Sequence, residues 1–224
     1  MPVREPDLPE GGEKPQEISM LDAIRLSTKS ASGIAALGLP PREPVLGDWL
    51  KEGDTGFLYA PRGLGKTWMS MFIASAVANG RQAGPWKVHG ARKVVYIDGE
   101  MALDGMLERM EGMQSGENLI VLNHEVLFHL GNKTLNLADR ATQDALTAYL
   151  LEAGAGMVVL DNLSCLCAGM EENKGDDWER VLHWLLTLRR LKIVVLIVHH
   201  AGRNGEMRGT SRREDAAFWM LKLD

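Results

Sequence analysis

Cysteine is nearly missing from this 224-residue sequence: there are two, Cys165 and Cys167, one residue apart. Such a pair cannot build a disulfide framework, so the expectation is a reduced, cytoplasmic protein. No apolar run reaches the roughly 18 to 20 residues that a membrane-spanning helix needs, and no membrane partner is expected. Residues 1–12 are acidic and Pro-rich, without the basic-then-apolar order of a signal peptide. Basic charge is not in excess either: 25 Lys and Arg against 30 Asp and Glu leave a formal net charge of −5. That excludes a small nucleic-acid module working by overall charge, so any such contact must come from a local patch. Apolar residues are plentiful, at 45%, with 25% charged, as in an average soluble domain. The length fits one ordinary α/β domain.

Residues 1–17 hold four of the nine prolines and almost no large apolar side chain. Such a segment buries too little surface to offset its ordering entropy and reads as a mobile tail. Over 19–36 the spacing of Met20, Leu21, Ile24 and Leu26 predicts one amphipathic helix, with Ser19 as N-cap. The Pro-rich stretch 39–44 follows as a hinge, so 18–44 is a helix and hinge that covers an edge of the domain or reaches a neighbouring subunit. Beyond it, short apolar runs at 57–60, 94–98, 119–122, 157–161 and 193–198 alternate with helical patterns at 66–79, 102–114, 139–153 and 177–191. Strands apolar throughout, separated by amphipathic helices, predict a mostly parallel sheet covered on both faces. Residues 218–223 read as one more strand.

The segment Ala60-Pro61-Arg62-Gly63-Leu64-Gly65-Lys66-Thr67 follows a predicted strand and opens a helix. It fits the phosphate-loop (Walker A) pattern G-x-x-x-x-G-K-[ST], except that Ala60 replaces the first glycine. Gly63 and Gly65 let the backbone curl into a nest of inward N–H groups, and the helix aims its positive end at the same spot. In such a loop Lys66 reaches the β- and γ-phosphates and Thr67 holds Mg²⁺ through its hydroxyl. The candidate nucleotide contacts run from Ala60 to Trp68.

Met157-Val158-Val159-Leu160-Asp161 has the Walker B form, an apolar strand ending in an acid that serves Mg²⁺ beside a phosphate loop. The sequence Val94-Val95-Tyr96-Ile97-Asp98-Gly99-Glu100 puts two carboxylates at the end of another strand, where open α/β sheets bind ligands. Glu100 is the candidate base for an attacking water, and Asp98 the support for the turn. The strand 193–198 ends in His199 and His200, one of which is placed to sense a γ-phosphate. Adjacent side chains on a strand point to opposite faces, and no Cys or His stands nearby at ligand spacing, which argues against zinc.

Together with Arg208-Gly209-Thr210-Ser211-Arg212-Arg213-Glu214-Asp215, these motifs resemble the RecA/DnaB-type ATPases. They are most similar to the RepA-like plasmid replicative helicases and their AAA-family relatives, over about residues 45–223. The resemblance implies a RecA-like P-loop NTPase domain over 45–224 that binds ATP and Mg²⁺ between subunits of a ring, usually a hexamer. It implies Lys66 and Thr67 as the phosphate-loop pair, Asp161 as the Walker B acid and Glu100 as the catalytic glutamate. It further implies His199 or His200 as the sensor and Arg208 as an arginine finger given in trans. Two loops of such rings grip single-stranded DNA. The first, 168–177, carries Glu171, Glu172, Asp176 and Asp177 against Lys174; the second, 202–213, carries Arg203, Arg208, Arg212 and Arg213 against Glu206. Only the second attracts phosphate, through Arg203, Arg212 and Arg213, and neither offers an aromatic platform. Three functions follow: an oligomeric ATPase that unwinds or remodels DNA, an ATP-driven assembly switch, or a small-molecule kinase. The last is disfavoured by the absence of an Arg-rich lid between 100 and 150.

Overall fold

The computed structural model describes residues 18–113, 116–167, 175–202 and 217–224. The chain divides into two compact units, Met1–Pro41 and Arg42–Asp224. The first holds two helices where the spacing predicts one, α1 (Met20–Ser27) and α2 (Ala31–Ala35). The break has a local cause. Thr28 is extended, and the Ser30 hydroxyl accepts from the Gly33 N–H at 3.1 Å, capping a fresh helix in place of continuing the old one.

The second unit opens with a small antiparallel hairpin, β1 (Pro44–Leu46) and β2 (Leu50–Lys51). The chain then runs β3 (Thr55–Ala60), α3 (Lys66–Asn79), β4 (Val94–Asp98), α4 (Leu103–Glu111), β5 (Leu119–Asn123), α5 (His124–Gly131) and α6 (Arg140–Glu152). It finishes with β6 (Met157–Asp161), α7 (Leu163–Leu166), α8 (Gly175–Arg190), β7 (Val194–His200) and β8 (Trp219–Lys222). Among the described residues the main sheet has six strands in the order β5-β4-β6-β7-β3-β8, and every pairing is parallel.

Period-two alternation sorts the strand side chains into two cores. Leu58, Val94, Tyr96, Met157, Val159, Val194, Leu196 and Val198 pack with α3 and with Met106 of α4. Phe57, Val95, Ile97, Val158, Leu160, Val195 and Ile197 pack on the other face with α6, α7 and α8. Both faces are therefore dry, which is why these strands read as unbroken apolar runs. Strands β3 and β4 are consecutive in sequence but separated in the sheet by β6 and β7. The carboxyl ends of these four strands lie side by side, the position where open parallel sheets take ligands.

The β8 edge is held by aromatic packing. Trp219 meets Trp49 of the hairpin turn at 4.9 Å, edge to face, and Trp49 meets Trp86 at 5.3 Å. Gly56 makes this possible, because a Cβ there would lie 2.1 Å from the Trp219 indole. Phe218 sits between the guanidinium groups of Arg42, at 5.1 Å, and Arg189, at 4.5 Å.

Candidate active site

Strand β3 delivers the chain to a loop in which Gly63 and Gly65 have φ of 83° and 78°, values that side-chain-bearing residues rarely adopt. Gly65 is the N-cap of α3 and brings no side chain to the first N–H groups of that helix, which stay available to an anion. The Lys66 ammonium donates to the Pro61 carbonyl at 2.9 Å, bridging the loop. Burial lowers the pKa of Lys66, while Asp161 and Glu100 pull it back up.

Asp161 ends β6 and is 3% exposed. Burial raises its pKa, against the opposing pull of the Tyr96 and Thr67 hydroxyls and of the Lys66 ammonium. The Tyr96 bond is 2.6 Å long. Tyr96 is itself buried, which together with Asp161 pushes its phenol well above the ordinary tyrosine value, so it stays a donor. Its oxygen lies 2.8 Å from the Ser70 hydroxyl, which is also 2.9 Å from the Thr67 carbonyl. Asp161 is thus tied to α3 through the Tyr96–Ser70 pair.

Asp98 ends β4. Its carboxylate accepts from the Asn123 amide at 2.9 Å and from the Met101 N–H at 3.2 Å. Burial still raises its pKa to about 6, outweighing those hydrogen bonds. Glu100, two residues on, accepts from the Asn162 side-chain amide. The same amide nitrogen is 3.3 Å from His200 Nε2, and His200 Nε2 is 3.9 Å from Glu100 Oε2.

These groups line one pocket of about 430 Å³, within the usual range of small-molecule sites. Of the residues anticipated from sequence, Arg62, Gly63, Gly65, Lys66, Thr67, Trp68, Asp98, Glu100, Asp161 and His200 meet there. Ala60, Pro61 and Leu64 do not line it. Ala60 is buried in β3, paired with His200, and Pro61 contributes its carbonyl to Lys66. The histidine pair separates by strand parity: His200 shares the α3 face with Tyr96, Asp98 and Asp161, whereas His199 points to the other face and is fully buried. Arg203, Arg208, Arg212 and Arg213 lie outside the described residues, as do Glu171, Glu172 and Lys174.

Three lining residues went unread in the sequence: Met101, Arg109 and Asn162. Arg109 comes from α4 and its guanidinium lies 5.3 Å from the Trp68 ring, making a flat wall beside the phosphate loop. Asn162 had a signal available, since an Asn directly after a strand and before Leu-Ser-Cys is a helix N-cap pattern.

A glycine-rich loop opening α3, the Asp161 carboxyl at the end of β6 and the Glu100 carboxylate beyond β4 line one pocket at the carboxyl ends of the strands. The AAA domain family matches residues 21–206 of the chain. The protein belongs to that family. This AAA domain has the RecA-like P-loop NTPase fold, a parallel central sheet with helices on both faces. Its backbone is similar to the KaiC-like protein PH0186 from Pyrococcus horikoshii OT3, with a TM-score of 0.57 and 12% identity over 81% of this chain and 80% of that one. It is also similar to the flagellar accessory protein FlaH from Methanocaldococcus jannaschii, with a TM-score of 0.50 and 12% identity over 76% and 71%. At that identity the likeness is one of fold. No curated protein matches the AAA domain by sequence. Among its described residues no helix is long and apolar enough to cross a membrane.

Proposed function

We propose that this AAA-family P-loop ATPase hydrolyses ATP as an assembly of copies and acts on DNA in the manner of the RepA-like replicative helicases. The observation that carries the hydrolytic part is the meeting of Lys66, Thr67, Glu100 and Asp161 in one pocket, with Asp161 held to α3 through Tyr96 and Ser70. The open space around Gly63 and Gly65, where a Cβ would meet nothing within 4 Å, suits a polyphosphate against the backbone. Thr67 would hold Mg²⁺ through its hydroxyl, with Asp161 behind it. Bound there, Mg²⁺ supplies neutralising charge at the β- and γ-oxygens.

The chain's own groups then divide the work. The amides of the loop and Lys66 bind and orient the phosphates, and Trp68 with Arg109 offers a stacking wall to the nucleobase. Glu100 orients a water and takes its proton on a carboxylate oxygen. His200 faces the same pocket at the end of β7, so it is the member of the histidine pair suited to sensing a γ-phosphate. Arg208 acts in trans on the neighbouring copy's nucleotide, and the basic stretch with Arg203, Arg212 and Arg213 faces single-stranded DNA. A second reading, an ATP-driven assembly switch that unwinds nothing, is favoured by the acidic stretch with Glu171, Glu172, Asp176 and Asp177.

The test is steady-state ATP hydrolysis by the full chain with and without single-stranded DNA. Lys66→Ala is expected to lower turnover at least ~100-fold, and activity surviving that change removes the hydrolytic reading. Single-stranded DNA is expected to stimulate turnover, and Arg203→Ala with Arg213→Ala to abolish the stimulation. A rate indifferent to DNA leaves the switch in its place.

A further inference from the structure

Asn162 stands at the junction of three strand ends, directly after β6, and is 1% exposed. One end of its amide is spent on the backbone: Oδ1 accepts from the Cys165 N–H at 3.1 Å and caps α7. The other end, Nδ2, donates to the Glu100 carboxylate that projects from beyond β4, and lies 3.3 Å from His200 Nε2 at the end of β7. The amide is planar, so the cap on Oδ1 sets the direction of Nδ2. The opposite assignment would press Oδ1 against a carboxylate and leave the Cys165 N–H facing a donor, so the contacts admit one orientation.

Glu100 differs from its holder: its side chain is 54% exposed. A solvent-open glutamate samples several rotamers, and few of them direct an oxygen into the pocket. A cap alone does not call for Asn, since Ser and Asp cap as well. What Asn adds is the donor.

We propose that Asn162 is the positioning residue of Glu100, its capped amide holding one carboxylate oxygen so that the other faces the water to be activated. The inference rests on the reading of Glu100 as the base. Through it the base is coupled to α7 and β7, so a shift of either element moves the carboxylate.

Two substitutions separate this role from a structural one. Asn162→Ser keeps a capping oxygen and replaces the amide donor with a hydroxyl on a shorter side chain, and Asn162→Asp keeps the cap but sets an anion against Glu100. For both, kcat is expected to fall about 100-fold, the loss that follows a misplaced reacting group, with KM for ATP and the calorimetric Kd for Mg–ADP within about twofold of the unsubstituted chain. Binding of Mg–ADP–aluminium fluoride, which imitates the transferring phosphoryl group, should weaken in parallel with kcat. Normal turnover and normal mimic binding in either variant overturn the proposal, and so does a loss of Mg–ADP affinity or melting temperature large enough to account for the fall in rate. Glu100→Gln measured alongside tells the two ideas apart. If it turns over normally the base itself is misassigned, whereas a collapse in Glu100→Gln beside an unaffected Asn162→Ser sinks only the positioning role.

Discussion

Asp98 shows how a residue can be well bonded and still be held near neutrality. It accepts from Asn123 and Met101, yet burial beside Asp161 keeps its pKa at about 6, above the 3.8 of an exposed aspartate. The folded chain therefore binds this proton more tightly than the unfolded chain, and stability contributed by Asp98 falls as pH rises from about 4 to 6. Asp98→Asn removes that slope. Melting temperatures of the two proteins should diverge in the variant's favour as pH goes from 4 to 7, and parallel profiles would show that burial does not set this carboxyl. At this scale the sequence pointed to residues that the fold brings to one pocket: Lys66, Thr67, Asp161, and the carboxylates Asp98 and Glu100. It did not disclose Arg109, which reaches Trp68 from a different helix and belongs to no local pattern. Nor did it say which histidine faces the pocket, because that depends on the strand's register in the sheet, Tyr59 opposite His199 and Ala60 opposite His200.

Elements were legible in proportion to how much they bury. The strands 94–98 and 157–161 and the helix 66–79 stand where the apolar pattern puts them, because the strands are buried along their length and the helix over most of its residues. The helix α5 was missed. None of its residues is buried, so it shows no apolar stripe, and its start is set by the Asn123 side chain accepting from Glu125 and Val126 N–H groups. The β1–β2 hairpin was missed for a related reason: strands of three and two residues are too short to show a period. Strand β8 was legible as a strand, but its dependence on Gly56 was not. Gly56→Ala would force a methyl into the Trp219 indole and is expected to destabilise the domain by about 1–3 kcal/mol in chemical denaturation. Adding Trp219→Ala should cancel part of that loss, since the two sites share one contact. Strictly additive costs would mean that the edge strand moves aside freely.

For the whole molecule, the prediction concerns assembly. If Arg208 completes a neighbour's site, hydrolysis per chain should rise steeply with protein concentration, and native mass should increase on adding ATP and Mg²⁺. Arg208→Ala should lower turnover by about 10³-fold or more, the scale of an arginine finger, without weakening nucleotide binding to the same extent. A variant that turns over normally would remove the arginine from the mechanism. The sequence carried this far only by resemblance, because an interface between copies leaves no periodicity in one chain.

Placement of the tryptophans has a practical consequence. Trp178 and Trp184 are buried in the core, Trp49, Trp86 and Trp219 are partly shielded at the β8 edge, and Trp68 alone among the six is widely open to solvent, at 50%, beside the phosphate loop. A collisional quencher such as acrylamide therefore reaches one indole far more readily than the other five. The intrinsic ultraviolet emission of the unlabelled chain thus contains a component local to the pocket, and occupancy can be followed by light without attaching a dye.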